Sequence, residues 1–130
     1  MSNNFNIDIV NPEKSFLSKN DVFEVVIPAV EGEIGILKDH ISIISFLKPG
    51  IIKVYSDTEE QNFYVEDGIV EFKDNTLSVL TSSIFDLKDA DKNFVSESIS
   101  SAEAELSKDD IDDQIRFLLN HKVEILKSIN

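Results

Sequence analysis

Residues 51–81 read IIKVYSDTEEQNFYVEDGIVEFKDNTLSVLT, a succession of short apolar runs with polar turns between them. The runs, at residues 51–55, 62–66, 69–72 and 76–81, are rich in Val, Ile, Phe and Tyr, and the stretches between them contain Asp, Asn and Gly. Period-two alternation also occurs at residues 5–9, and a dense apolar run at residues 22–27 ends at Pro28, which cannot donate a hydrogen bond to a neighbouring strand. Short strands about every ten residues predict an all-β sandwich or barrel rather than βαβ units.

Beyond Leu87 the pattern changes to that of a helical hairpin. No Gly or Pro occurs from residue 88 to the end, and apolar residues recur every three or four positions, as on one face of a helix. Asp89 or Asp91 is a suitable N-cap for the first helix. The first apolar stripe comprises Val95, Ile99, Ala102 and Leu106, and the second comprises Ile111, Ile115, Leu118, Leu119, Val123, Leu126 and Ile129. The sequence therefore predicts two domains, a β-sandwich over residues 1–87 and an antiparallel α-helical hairpin over residues 88–130, with arms of roughly 16 to 20 residues.

Composition excludes several classes of function. The 130 residues include 12 Lys+Arg and 25 Asp+Glu, and the net charge of −13 argues against binding to nucleic acid or to an anionic lipid surface. The absence of Cys and the presence of only two His exclude thiolate and histidine-rich metal sites. No apolar run approaches the roughly 20 residues that span a bilayer, so we expect no direct membrane insertion. The first ten residues do not have the pattern of a signal or transit peptide, which predicts a cytoplasm-like compartment.

Titratable groups are concentrated at residues 31–40, between predicted strands. A carboxylate and a histidine acting on a hydroxyl would make a metal-independent hydrolase, but no nucleophile-elbow context is present, and a polar loop is the favoured interpretation. The spacing of Gly32 and Gly35 is too short for a phosphate-binding fingerprint and indicates tight turns or a bulge. The sequence predicts no catalytic residues, no metal site and no cofactor. The groups considered are Glu31, Glu33, Asp39 and His40, with hydroxyls at Ser42 and Ser45.

Residues 26–50 read VIPAVEGEIGILKDHISIISFLKPG. An acidic-Gly-Glu-apolar-Gly-apolar run occupies residues 31–36, followed by His40, an apolar stretch at residues 41–47 and Lys-Pro-Gly at residues 48–50. This segment closely resembles the signature region of the epsilon subunit of F-type ATP synthases, which is called delta in mitochondria. Residues 5–10, 64–72 and 75–81 also match the strands of that family.

The resemblance implies a ten-stranded β-sandwich followed by an antiparallel α-helical hairpin. It further implies a non-catalytic rotor subunit of the central stalk, bound to the gamma subunit and to the ring of c subunits, with transient contacts to the alpha and beta subunits. The location implied is peripheral, on the cytoplasmic side of the bacterial inner membrane. The site residues implied are a c-ring-facing loop at Glu31, Gly32 and Glu33, a gamma-facing stretch with His40, Ile41, Ile43 and Ile44, and structural turns at Gly35, Pro49, Gly50 and Gly68.

The sequence departs from the family pattern at two places. Lys38-Asp39 stands where the family has Pro-Gly, and Asp tolerates the left-handed conformation better than most residues, so the turn can persist. In relatives that bind ATP on the hairpin, an Asp is followed by Arg three positions later. Here Asp91 is the only remnant, since Phe94 occupies the position of the Arg, and we expect no ATP binding. We also expect the hairpin to be a weak or absent inhibitor of ATP hydrolysis.

Two other functions are compatible with the composition. The chain could be a free-standing acidic β-sandwich adaptor or small-ligand-binding protein with a helical tail, or the hydrolase based on His40 described above. Co-elution with a gamma subunit distinguishes the rotor subunit from the adaptor.

Overall fold

The computed structural model describes residues 3–12, 15–89 and 91–129. Within these ranges there are nine strands and two helices. The strands are β1 (Phe5–Val10), β2 (Ser15–Ala29), β3 (Gly32–Ile36), β4 (Ile43–Leu47), β5 (Gly50–Ser56), β6 (Glu60–Val65), β7 (Gly68–Lys73), β8 (Thr76–Leu80) and β9 (Ile84–Asp86). The helices are α1 (Lys92–Leu106) and α2 (Asp113–Ile129), preceded by one 3-10 turn (Leu87–Asp89).

The long strand β2 belongs to both layers of a sandwich. Its first half pairs with β1, and its second half pairs with β3 on one side and β5 on the other, after a bulge between Val22 and Glu24. One layer therefore has the order β2–β1–β8–β7–β4, and the other has the order β3–β2–β5–β6–β9. Counting the two halves of β2 separately, each layer contains five strand segments, ten in all. The predicted fold class, a ten-stranded β-sandwich followed by a helical hairpin, is confirmed.

The core lies between the two layers. Because successive side chains of a strand point to opposite faces, alternate residues of each strand are buried. In β1, for example, Phe5, Ile7 and Ile9 are buried while Asn6 and Val10 are exposed. The other layer contributes residues such as Ile52, Val54, Phe63 and Val65.

The hairpin packs on the outer face of the layer that contains β5, β6 and β9. Tyr64 of β6 is buried there with Val95 of α1 and Leu126 of α2, and Ile51 and Phe85 pack around them. Of the two predicted N-caps for α1, the structure selects Asp91: its carboxylate accepts a hydrogen bond of 2.8 Å from the Asn93 amide. The first apolar stripe faces inward as predicted, with Val95 and Ala102 buried.

The second apolar stripe is only partly covered. Val123 and Leu126 are buried as predicted, but Ile115 and Leu118 are 49% and 39% exposed. The buried residues lie in the second half of α2, so the apolar stripe extends beyond the surface that covers it. None of the helices in the described ranges is both long enough and apolar enough to cross a membrane.

Candidate functional site

Four exposed apolar side chains form one line across the outer face of the β1–β8–β7–β4 layer. Phe46 of β4 is opposite Ile69 of β7, Ile69 is opposite Leu80 of β8, and Leu80 is opposite Val10 of β1. We call these four residues the apolar row. Their exposed fractions run from 39% for Val10 to 57% for Phe46. A contiguous apolar patch on a sheet face, as opposed to scattered single residues, is typical of an interaction surface.

The predicted gamma-facing residues divide into two groups. Ile44, two positions before Phe46 on the same face of β4, is 70% exposed, and Ile41 in the preceding loop is 77% exposed. Ile43, by contrast, is half-buried against the core, which does not support the gamma-facing position predicted for it. The reason is the alternation of side chains along a strand, which turns Ile43 inward when Ile44 faces outward. His40 is also half-buried, with its ring edge-on to Phe72 at 5.9 Å.

The segment with Glu31, Gly32 and Glu33 is an edge of the sandwich rather than only a loop. Gly32 and Glu33 begin β3, which among the described residues pairs only with β2. The two carboxylates differ in their surroundings. The buried Ser45 hydroxyl donates to both carboxylate oxygens of Glu31, at 2.8 and 3.2 Å, whereas Glu33 points into solvent from the strand. The Glu31 carboxylate is therefore held by Ser45, whereas the Glu33 carboxylate is not.

Two of the predicted turn residues are required by geometry. Gly68 begins β7 with φ 151°, and a Cβ there would lie 2.7 Å from the Leu80 carbonyl oxygen. Gly50, which follows Pro49 at the start of β5, approaches Pro28 so closely that a Cβ would lie 2.5 Å from that ring. Gly35 differs from the prediction, because it lies inside β3 rather than at a turn and its φ is not positive.

The remnant of the ATP motif has a structural role. The Asp91 carboxylate caps α1, and the Phe94 ring packs edge-on against Phe85 with centroids 5.3 Å apart. Ala90, which precedes Asp91 in the motif, lies outside the described residues.

The groups considered for a hydrolase do not assemble into a catalytic arrangement. Ser45 bonds to Glu31 rather than to His40. The His40 Nδ1 atom lies 2.7 Å from the carbonyl oxygen of Ile41, and the Asp39 carboxylate accepts a hydrogen bond from Asn75. Among the described residues, no three His, Asp or Glu side chains are grouped so that they could hold a metal ion.

One titratable group with a perturbed pKa lies elsewhere, beneath the hairpin. Burial, together with the nearby Glu66 carboxylate, raises the pKa of the Tyr64 phenol well above its ordinary value. Within the described part of the chain, its hydroxyl is buried without a hydrogen-bond partner. The ring packs among Val95 and Leu126, so this group belongs to an interior contact and not to an open cleft.

Comparison with known proteins adds independent information. The family model described as "ATP synthase, Delta/Epsilon chain, beta-sandwich domain" matches residues 4–86. The ATP synthase epsilon chain of Pelagibacter ubique is 65% identical over 130 residues, which is 100% of both chains. The epsilon chain of Rhizobium rhizogenes is 34% identical over 107 residues, covering 82% of this chain and 78% of the relative.

Solved structures show the same fold. A chain in the cryo-EM structure of the Euglena gracilis mitochondrial ATP synthase (OSCP/F1/c-ring) aligns with a TM-score of 0.77 at 19% identity, covering 98% of this chain and 79% of that one. A chain in the central stalk/c-ring structure of the Tetrahymena thermophila mitochondrial ATP synthase aligns with a TM-score of 0.68 at 15% identity, covering 95% and 93%. The resemblance inferred from residues 26–50 is confirmed, as is the interpretation of the chain as a non-catalytic component rather than an enzyme. The chain belongs to the delta/epsilon chain family of ATP synthase subunits.

Proposed function

We propose that this chain is a central-stalk subunit of an F-type ATP synthase that links the gamma subunit to the c-ring at the cytoplasmic side of the bacterial inner membrane. The observation that carries the proposal is the apolar row, four exposed apolar side chains in line across one outer sheet face. The relatives named epsilon chain, and the fold shared with a chain from a central stalk/c-ring assembly, support the same role.

We place gamma on the apolar row together with Ile41 and Ile44. The hairpin covers the outer face of the other layer, so it does not compete for this surface. Burying several large apolar side chains is the main favourable term in a stable interface, and exposed ones such as Ile44 at 70% contribute most when covered.

We place the c-ring at the edge formed by β3. In this arrangement the Glu33 carboxylate faces the polar loops of the c subunits, and its charge sets the register if those loops carry Lys or Arg. Glu31 has a different task, because its carboxylate is bound to Ser45 and thereby holds the turn into β3.

The gamma surface is tested by substituting Ile44→Asp and measuring binding to purified gamma. A charge buried in an apolar interface should cost about 2–4 kcal/mol of binding free energy. Phe117→Asp is the matched control, because Phe117 is 62% exposed on the helical hairpin and receives the same charge. Circular dichroism establishes that both variants are folded. Full binding by folded Ile44→Asp protein would contradict the placement, and failure of the wild type itself to bind gamma would favour the free-standing adaptor.

The c-ring edge is tested with Glu33→Lys in the reassembled enzyme. Charge reversal should weaken the attachment of the rotor to the c-ring at low salt, and the difference from wild type should shrink at high salt. Glu31→Gln is the comparison, since we expect it to act on the turn rather than on the c-ring contact. Equal attachment of wild type and Glu33→Lys at low salt would show that Glu33 does not face the ring.

We also propose that the sandwich and the hairpin are separate domains with their boundary near Leu87. The interface between them is small, centred on Tyr64, Val95 and Leu126.

A further inference from the structure

Two turns that lie far apart in the sequence are joined by a reciprocal pair of hydrogen bonds. The Asp39 amide donates to the Asn75 side-chain oxygen at 2.7 Å, and the Asn75 side-chain amide donates to the Asp39 carboxylate at 2.9 Å. Both residues have a positive φ, 66° for Asp39 and 56° for Asn75. We call this contact the Asp39–Asn75 clamp.

The Asn75 side of the clamp is fixed to the sheet. Asp74 and Asn75, both with positive φ, form the tight turn that joins β7 to β8, as in a two-residue hairpin loop. The carbonyl oxygen of Asn75 accepts a hydrogen bond of 3.0 Å from the Asn6 amide of β1. Three strands of the layer that bears the apolar row therefore hold this turn.

The Asp39 side of the clamp belongs to the loop between β3 and β4. The His40 amide closes the turn by donating to the Leu37 carbonyl at 3.1 Å, and the His40 ring rests edge-on against Phe72 of β7. The next residue, Ile41, is 77% exposed. Ile41 is therefore carried by a loop that is tied to the sheet.

Glycine would adopt the left-handed conformation of Asp39 without a steric cost, whereas Asp adopts it at a cost that the side-chain hydrogen bond offsets. A glycine, however, could not accept the hydrogen bond from Asn75. Asp39 therefore adopts this backbone conformation less easily than glycine would, but its side chain connects the loop to the β7–β8 turn.

We propose that the Asp39–Asn75 clamp is a positioning device that holds Ile41, at the end of β4 where Ile44 lies, in place before gamma binds. This inference rests on the proposed function, since it assumes that gamma covers the row. A loop already ordered in the free subunit need not be ordered on binding, and preorganisation of this kind raises affinity without adding a contact.

The clamp can be weakened from one side and removed from the other without straining the backbone, since glycine tolerates the positive φ at both positions. Asp39→Gly deletes the carboxylate acceptor but keeps the hydrogen bond from its own amide, whereas Asn75→Gly deletes both hydrogen bonds. Asp39→Asn is the conservative variant, because it keeps an acceptor oxygen and also tolerates the left-handed conformation. Two measurements are made on full-length protein: the affinity for purified gamma, and amide hydrogen exchange at residues 40–42 in the free subunit.

Each glycine variant should lower the affinity for gamma about 3- to 10-fold, the range expected for ordering one or two side chains. Both should accelerate exchange in the loop, and Asp39→Asn should resemble wild type in both measurements. The double glycine variant should be no weaker than Asn75→Gly, because that variant already removes both hydrogen bonds.

Unchanged affinity and exchange in the glycine variants would overturn the clamp, as would additive losses in the double variant or losses explained by a lower melting temperature. If Ile44→Asp abolishes gamma binding while the glycine variants bind like wild type, the clamp fails and the proposed function stands. If wild type does not bind gamma, the proposed function fails, and with it the role of the clamp in binding.

Discussion

At the scale of single residues, Gly68 and Gly35 can be compared by substitution with Ala, because the structure requires glycine at position 68 and not at position 35. Gly68→Ala would force a Cβ against the Leu80 carbonyl at a φ that side chains rarely adopt, and should lower the free energy of unfolding by about 2 kcal/mol or more. Gly35→Ala has room, since the nearest atom is a Glu24 carboxylate oxygen at 3.6 Å, and should change stability by less than about 1 kcal/mol. Urea unfolding of both variants checks this. Equal losses would contradict the assignment of strain to Gly68.

The sequence predicts the conformation of a residue correctly where only one local structure is compatible with the pattern. The sequence predicts that Asp39 keeps a turn that the family makes with glycine, and its φ of 66° agrees. For Ile41, Ile43 and Ile44 the sequence does not determine which side chains face solvent, because three apolar residues in four positions do not alternate with polar ones. Pairing of β4 with β7, from Ile43↔Phe72 to Leu47↔Gly68, determines which of them faces solvent, and that register comes from tertiary contacts.

At the scale of elements, the contact between the hairpin and β6 contains a buried phenol. Tyr64→Phe removes a hydroxyl that has no hydrogen-bond partner among the described residues, so at neutral pH it should leave stability unchanged or raise it by about 1 kcal/mol. The pH dependence has a definite sign. Because burial raises the pKa of Tyr64, the folded protein keeps the proton while the unfolded chain, with the ordinary value of 10.0, loses it. Stability is therefore fully present below about pH 10 and falls as the pH rises further.

Urea unfolding at neutral pH and above pH 10 tests whether burial of Tyr64 in the hairpin contact makes stability fall above pH 10. Wild type should lose more stability across that interval than Tyr64→Phe. Tyr55→Phe alters the other tyrosine, which packs against Phe23 on a different strand, and should keep the wild-type pH dependence. Parallel curves for wild type and Tyr64→Phe would show that this phenol is not protected by burial.

The sequence pattern predicts β1, the four strands from β5 to β8, and α1, whereas β3 and β9 have no counterpart among the predicted runs. Gly32, Glu33 and Gly35 have low strand propensity, and the pairing of β3 with residues 25–29 of β2 overrides that preference. In α2 the periodicity predicted which face is apolar, but not that the sandwich covers only the second half of it. Ile115 and Leu118, in the first half of α2, remain exposed.

At the scale of the whole molecule, the two outer faces of the sandwich differ in their contacts within the chain. One outer face bears the apolar row, and the other holds the hairpin through a small apolar cluster and one close ion pair. That pair joins Lys122 of α2 to Glu66 at 2.8 Å, with both side chains partly buried. The other two cations of α2 are also engaged within the chain, since Arg116 donates to the Leu106 carbonyl at 3.2 Å and Lys127 lies 3.7 Å from Glu103.

These contacts bear on whether the hairpin inhibits ATP hydrolysis. Blocking the catalytic head in the manner implied by the family requires positive charge on α2, yet residues 110–130 carry three cations and four acids, a net charge of −1. Each cation would first have to leave an intramolecular partner, and attraction to an acidic loop is screened beyond about 8 Å at physiological salt. We expect the hairpin to stay folded on the sandwich, so the hydrolysis rate of the reconstituted enzyme should be the same with the full chain and with a version ending at Leu87.

Circular dichroism and gamma binding serve as controls that the shortened protein is folded. Lys122→Gln provides a second comparison, because it weakens the attachment of the hairpin while keeping it present. A several-fold rise in hydrolysis on truncation would show that Arg116, Lys122 and Lys127 exchange their internal partners for partners in the catalytic head, and that local net charge does not govern inhibition.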